Sequence, residues 1–297
     1  MNNSTPNPSP ALPARPLKAI LICPSPRPAI PELSRRGPLA LLPFLGKTVL
    51  ERTLVFLAAQ GAKEIRLLAA DRPDDIRAVV GRGETWGLKL EVLPLPSEPT
   101  VAQARAQFHS GPDSDWLPAP FDVMTLDRLP PLPEQPLWES YPAWFETLAG
   151  FMPRAAADVG VREVQPGVFV GLRSQVHKDA RLVAPCWIGA NVRIDDRAVI
   201  GPRAIVEESA YVDEGAEISA SVIGPQTYVG VLTEVRDSFA WGRQLLNLQN
   251  GSRLEVPDSF LLRELAPEPA SDRQSLGARL RGALSSAPRF LRKLGGG

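Results

Sequence analysis

From Val170 to Ile218 an aliphatic residue stands at every sixth position: Val170, Val176, Leu182, Ile188, Ile194, Ile200, Val206, Val212 and Ile218. Four residues past each lies a small or compact side chain, in order Ser174, Ala180, Cys186, Val192, Ala198, Ala204, Ala210, Ala216 and Val222. Two of every six side chains are therefore fitted to a confined interior. After Ile218 the spacing shortens once, to Ile223, and resumes at Val229 and Val235. Such a period belongs to a solenoid of stacked parallel strands, in which each coil buries the open edge of its neighbour.

With 297 residues the chain is long enough for about two domains. Its 33 Lys and Arg balance 33 Asp and Glu, so no global attraction to nucleic acid is expected and no nucleic-acid partner is assigned. Two cysteines do not make a secreted disulfide framework. Cys186 occupies a small-residue position of the repeat and Cys23 ends an apolar run, so both are expected to be small buried residues. No apolar stretch approaches the roughly 20 residues of a membrane span. Residues 1–16 are polar and Pro-rich, unlike a signal peptide, and are expected to be disordered in a cytoplasmic protein. Proline is the outlier, at 32 residues, concentrated between Pro6 and Pro43 and between Pro94 and Pro142.

In the amino-terminal half, Lys18 to Ile22 is an apolar run suited to a buried strand, and a Pro-rich loop follows. Thr48-Val49-Leu50-Glu51 has the form of a capping box, with Leu50, Leu54 and Leu57 on one helical face and Gly61 placed to end the helix. Glu64 to Ala70 suits a second strand. Pro73 opens a helix with Ile76, Val79 and Val80 on one face before Gly81, and Leu88 to Leu93 suits a third strand. The order β-α-β-α-β implies a parallel, doubly wound sheet with helices on both faces.

The stretch Leu41-Leu42-Pro43-Phe44-Leu45-Gly46-Lys47-Thr48-Val49-Leu50-Glu51-Arg52-Thr53-Leu54, followed by Ala59-Gln60-Gly61-Ala62-Lys63-Glu64-Ile65, is similar to the start of nucleotide-sugar pyrophosphorylases. The resemblance covers Lys18 to about Leu93. The hexapeptide pattern resembles the carboxy-terminal left-handed parallel β-helix of the same sugar-1-phosphate nucleotidyltransferases, and also the body of hexapeptide acyltransferases. Gly224 to Leu265 looks like the family's closing coils. The resemblance implies three faces per coil, hence about four coils standing roughly 15–20 Å tall at about 4.8 Å per strand. The left hand also comes from the resemblance, since general crossover statistics favour the opposite one. The activity implied is the joining of a sugar 1-phosphate to a nucleoside triphosphate with release of pyrophosphate.

The family's chemistry depends on a G-x-G-x-R loop after the first strand, because glycines let backbone N–H groups approach the triphosphate. Here that place holds Cys23-Pro24-Ser25-Pro26-Arg27-Pro28-Ala29-Ile30-Pro31, without a glycine, and each proline removes an N–H. Leu39 and Ala40 stand where the family has a lysine followed by proline. The aspartate that follows a glycine and holds Mg²⁺ in the family has no evident counterpart. Asp113, Asp115 and Asp122 lie in the right region, and Asp122 is the metal candidate, against a solvated strand-end carboxylate as the plainer reading. Arg35 and Arg36 are the candidates for nucleotide or phosphate binding, with solvated arginines as the alternative. Mg²⁺ is expected only if activity survives. Loss of loop, lysine and metal site together leaves little positioning or charge stabilisation for phosphoryl-type transfer, which points to a degenerate, non-catalytic relative.

His177 follows the inward Val176 and so should point outward. It is the base candidate of the acyltransferase alternative, against a solvated histidine. His109 has no special role assigned. Tyr141 to Met152 is expected to form a short helix with Trp144, Leu148 and Phe151 or Met152 covering the first coil, and Leu245 to Val256, around Asn250-Gly251, a hairpin capping the other end. From Ser271 to Gly297, six basic residues oppose Asp272 alone. Ser271-Asp272-Arg273-Gln274 has the capping-box form and Leu276, Leu280 and Leu284 align, so this segment is a candidate amphipathic helix for an anionic membrane surface, against a frayed solvated tail.

The organisation expected is therefore a disordered segment 1–16, a reduced Rossmann-like nucleotidyltransferase α/β domain over 17–153, an all-β left-handed parallel β-helix with its hairpin over 154–265, and a basic tail 266–297. The role expected is a binding, regulatory or assembly component of nucleotide-sugar or exopolysaccharide metabolism. Its partners would be a nucleotide or nucleotide sugar, a protein or a second copy through the β-helix, and the inner membrane periphery through the tail. The alternatives are an active nucleotidyltransferase with a rebuilt loop and a hexapeptide acyltransferase.

Overall fold

The computed structural model describes residues 16–130, 132–158 and 160–265. The expectations for residues 1–15 and for the basic tail, with Leu276, Leu280 and Leu284, lie outside the described residues. No described helix is long and apolar enough to cross a membrane.

The amino-terminal half is a four-stranded sheet of β1 (Leu17–Cys23), β2 (Ala62–Ala69), β3 (Lys89–Pro94) and β4 (Val123–Thr125), in the order β3-β2-β1-β4 with every pair parallel. Helices α1 (Val49–Ala59), α2 (Pro73–Val80) and α3 (Val101–Phe108) connect these strands. β1 is a continuous apolar run because both its faces are covered. Leu21 packs with Leu50, Leu54 and Ile76 of α1 and α2 on one side. Ile20 and Ile22 pack with Ala104 of α3 and Trp116 on the other. The capping box of α1 is complete: Glu51 N–H donates to Thr48 Oγ1 at 3.1 Å and Thr48 N–H to Glu51 Oε2 at 2.7 Å.

Two of these elements, β4 and α3, fall in the Pro-rich segment between Pro94 and Pro142. α3 carries the same N-terminal device, Thr100 with Gln103. Its eight residues bury Ala104 alone, so no apolar periodicity announces it. β4 has only three residues and takes its identity from pairing with β1.

From Val168 onward, short strands visit three sheets in rotation, each pairing in parallel with the strand one circuit later. Cys186 pairs with Val168, Ile194 with Val176 and Ile200 with Leu182, each 18 residues on. Beyond Ile218 the step becomes 17, as in Ile205 with Val222 and Tyr211 with Tyr228, so Val222 takes the outward position of Ile205 and not the interior one that the six-residue spacing implies. The one-residue loss is absorbed near Ala220, which is left-handed at φ 45°. The aliphatic series from Ile188 to Ile218 points inward with Ala198, Ala204, Ala210 and Ala216 to form a continuous buried core. Each corner is so tight that side chains would collide at some positions. A Cβ on Gly189 would lie 2.7 Å from the backbone N of Glu208 on the next circuit. Gly189→Ala is therefore expected to force a backbone shift costing about 1–3 kcal/mol, measurable by urea unfolding. A loss under about 0.3 kcal/mol would show that the circuits are not in such close register.

The hairpin is present, with Gln244–Asn247 antiparallel to Arg253–Glu255 and Gly251 at φ 72°, and it extends the eight-stranded sheet at the last circuit. Helix α4 (Tyr141–Asp158) differs from expectation. It is longer than Tyr141 to Met152, and it does not close the first coil. It runs along one side of the stack: Trp144 meets Phe239 of the last circuit at 5.2 Å, while the helix also contacts the strand Val168–Val170 of the first. The reason is an outward apolar column on that side alone, formed by Phe169, Trp187, Ile205, Val222 and Phe239, which joins Trp144, Leu148, Phe151 and Met152 in the same buried cluster as the sheet's helices. The corresponding outward positions on the other two sides are Gln175, Arg193, Tyr211 and Tyr228, and Arg181, Val199, Glu217 and Glu234. A helix of 18 residues, roughly 27 Å long, suits a side and not an end.

Candidate functional site

Ligands of open parallel sheets bind beyond the carboxyl ends of the strands, where the strand order reverses. Here that place lies between β1, which leads on to β2 and β3, and β4 on its other side. The loop after β1 contributes Ser25 and Arg27, the loop after β3 contributes Glu98, and Asp127 follows β4 by two residues. Arg27 Nη1 donates to Glu98 Oε2 at 2.7 Å, and its Nη2 to Glu98 Oε1 at 2.8 Å and to Asp127 Oδ1 at 2.6 Å. The backbone N–H of Ser25 donates to Glu98 Oε2 at 2.7 Å. One carboxylate thus takes a bidentate guanidinium and a backbone amide, the donor set that a bound phosphate would use.

The electrostatics agree with a closed network. Hydrogen bonding to Glu98 raises the Arg27 pKa, with Asp127 adding to it. Burial pushes the Glu98 carboxyl up, but Arg27 and the Ser25 amide outweigh it and hold the pKa below the ordinary 4.5. Cys23, at the end of β1, is pushed up to about 12 by burial and by the Glu98 charge, so its thiol is inert at neutral pH.

The residues singled out from sequence lie elsewhere. Arg35 Nε pairs with Glu32 at 2.5 Å, and Arg36 bonds Glu264 at 3.1 Å while its guanidinium lies 4.9 Å over the Trp241 ring. Arg36 thus joins the loop to the far end of the stack, whereas Arg35 pairs within the loop itself. Asp122 is not a solvated strand-end carboxylate: it is buried at the amino end of β4, with both oxygens held by Arg105 of α3 at 2.6–3.0 Å. Those lone pairs are committed to a guanidinium and leave poor access for Mg²⁺. His177 points outward as expected, with Nδ1 3.4 Å from Asp196 and 3.7 Å from Asp179. These three could hold a cation by spacing; His177 and Asp179 are exposed, Asp196 is half-buried, and Arg197 Nε stands 3.4 Å from the other oxygen of Asp196.

Arg27 occupies the fifth place of Cys23-Pro24-Ser25-Pro26-Arg27, where the G-x-G-x-R loop has its arginine. That alignment was the available signal. Asp127 carried none, since β4 is too short to announce the strand end behind it. A second internal anion contact lies between the halves. Glu207 of the stack, 1% exposed, accepts from the backbone N–H of Leu45 at 2.7 Å and of Gly46 at 2.8 Å.

A parallel sheet with helices on both faces is a doubly wound α/β arrangement, and here an internal ion-pair network closes its reversal point. The chain is similar to UTP--glucose-1-phosphate uridylyltransferase of Synechocystis sp., with 27% identity over 124 residues, 40% of this chain and 31% of the relative. It thus spans about a third of the length of that relative. The similarity supports a nucleotidyltransferase-like relationship. No family model matches the chain.

Proposed function

We propose that the chain is a nucleotide-sugar pyrophosphorylase-like protein that no longer turns over substrate and serves nucleotide-sugar metabolism as a binding, regulatory or assembly component. In this reading residues 17–153 are a reduced nucleotidyltransferase domain and residues 154–265 a left-handed β-helix on which it is mounted. The observation that carries the proposal is the Glu98 carboxylate, which occupies the Ser25 amide and the Arg27 guanidinium that a nucleotide phosphate would need. Displacing it would bring a second anion beside Asp127, and Leu39 and Ala40 stand where the family resemblance places a lysine followed by proline. Catalysis of phosphoryl-type transfer is mostly positioning and charge stabilisation, and both are already spent on the protein's own side chains.

The test is a pyrophosphate-release assay of the full chain with UTP, glucose 1-phosphate and Mg²⁺, beside calorimetric titration with UTP. Release at the level of the protein-free control is expected. UTP should bind wild type more weakly than the Glu98→Ala variant, in which Ser25 and Arg27 are freed, by about tenfold or more. Mg²⁺-dependent release by wild type that disappears in Arg27→Ala would overturn the proposal.

A further inference from the structure

His177, Asp179 and Asp196 bring three ligand-type atoms together at one corner of the stack, from two successive circuits. His177 and Asp179 follow the strand Gln175–Val176, and Asp196 follows its partner strand Arg193–Ile194 one circuit on. The backbone fixes both turns. His177 N–H donates to the Ile194 carbonyl at 2.9 Å, Ala180 N–H to the His177 carbonyl at 3.0 Å, and Gly215 N–H of the following circuit to the Asp196 carbonyl at 2.9 Å. A repeating, hydrogen-bonded frame therefore presents the three side chains.

His177 Nδ1 lies 3.4 Å from Asp196 Oδ1 and 3.7 Å from Asp179 Oδ2, and all three atoms lie within 4.8 Å of one another. Donor atoms bound tetrahedrally to zinc at about 2.0–2.2 Å stand roughly 3.3–3.6 Å apart, so two of the three separations are already near those of a ligand set. The protein itself serves these lone pairs poorly. Asp196 Oδ1 is shut off from solvent, although the residue as a whole is half-buried, and it accepts no hydrogen bond among the described residues. Nδ1 accepts one long bond, from the Asp179 N–H at 3.3 Å, which leaves the ring proton on Nε2 and Nδ1 as a ligand atom. Two electron-rich atoms thus face each other with no donor between them. The nearby cations approach from outside: Arg197 Nε is 3.4 Å from Asp196 Oδ2 and also bonds Glu214, and Lys178 Nζ is 3.9 Å from Asp179 Oδ2.

We propose that this corner binds a divalent transition-metal ion of the zinc class through His177 Nδ1, Asp179 Oδ2 and Asp196 Oδ1, with water completing the tetrahedron. The imidazole nitrogen selects zinc over magnesium and calcium, which take oxygen ligands. The two carboxylates balance the charge of the ion. Arg197 orients Asp196 through its second oxygen, as outer partners of metal-bound carboxylates do. Because its ligands come from successive circuits, the ion fastens the first circuit to the second, where Val176, Ala180 and Leu182 are only partly buried. The site does not depend on the functional proposal above, since neither UTP nor the Arg27 network takes part.

Calorimetric titration of the tag-free full chain with zinc chloride, beside magnesium chloride, tests it. Wild type is expected to bind a single zinc ion with micromolar affinity. Binding should be at least about tenfold weaker in His177→Gln and in Asp196→Asn, and unchanged in His109→Gln, which removes the other histidine. At free zinc about 100 times the Kd, the urea unfolding constant should fall by about a hundredfold in wild type and by no more than about tenfold in His177→Gln. No saturable zinc binding, zinc binding no tighter than magnesium, or wild-type affinity in either ligand variant would overturn the proposal and leave His177 in ion pairs only. Should a variant fail to fold, the imidazole ¹⁵N resonances of wild type decide: zinc must move Nδ1 of His177, and movement at His109 alone, or at neither ring, removes the site.

Discussion

Replacing Trp187 by alanine is expected to lower folding stability by about 4 kcal/mol, because a fully buried indole leaves a cavity that a stack of short strands cannot collapse to fill. Trp187 lies on the outside of the stack, where an isolated solenoid would show it to water. Instead it stands 6.2 Å from Phe169 and in one buried cluster with Ile205, Val222, Trp144 and Leu148. Its Nε1 is buried without a hydrogen-bond partner among the described residues. Trp187→Phe should therefore cost only about 1 kcal/mol, since the lost contact area is partly offset by removing an unsatisfied donor. Urea unfolding of the two variants would separate these terms. A loss under about 1 kcal/mol for the alanine variant would mean that the outward column is solvated and that α4 does not rest on it.

Arg27→Ala should produce the second large effect, about 2 kcal/mol at neutral pH. It leaves Glu98 and Asp127 facing each other without their shared cation, and charge-assisted hydrogen bonds of this kind contribute roughly 1.5–3 kcal/mol. The lower part of that range applies, because the three side chains retain 19–34% exposure and water screens the pair. The Glu98 pKa is depressed, so the contribution is present above the ordinary carboxylate value of 4.5 and is lost as the pH falls through the folded value. Wild type and variant should consequently differ at pH 7 and converge in acid. A constant difference down to pH 3 would show that the arginine acts through packing and not through its charge.

Much of the local architecture was legible because it depends on neighbours in sequence. The capping box at Thr48, the strand runs of β1 to β3 and the turn at Gly251 each involve residues within a few positions of one another. The stack's inward face was legible because its six-residue period repeats one environment many times. Its outward face was not, since Phe169, Trp187, Ile205, Val222 and Phe239 recur only every 17 or 18 residues, and the period is visible only after the circuit length is known. That is why α4 was expected at an end and stands along a side.

The site was less legible. Arg35 and Arg36 stood out as adjacent charges in the right loop, whereas Arg27 was hidden among prolines that argued against any phosphate loop. Its partners Glu98 and Asp127 are 71 and 100 residues away. Asp122 was misjudged for a related reason: its partner Arg105 sits on a helix with no apolar stripe to reveal it.

The sequence by itself determined periodicity, capping and the alternation of strand and helix, because these arise from backbone hydrogen bonding and from side chains that repeat at short intervals. Only the tertiary structure decided which charges meet. Glu98 reaches Arg27, and Glu207 reaches the amides of Leu45 and Gly46, because folding brings distant segments within about 3 Å, the distance at which a carboxylate exchanges water for protein donors. An ion pair across such separations leaves no spacing in the chain to read.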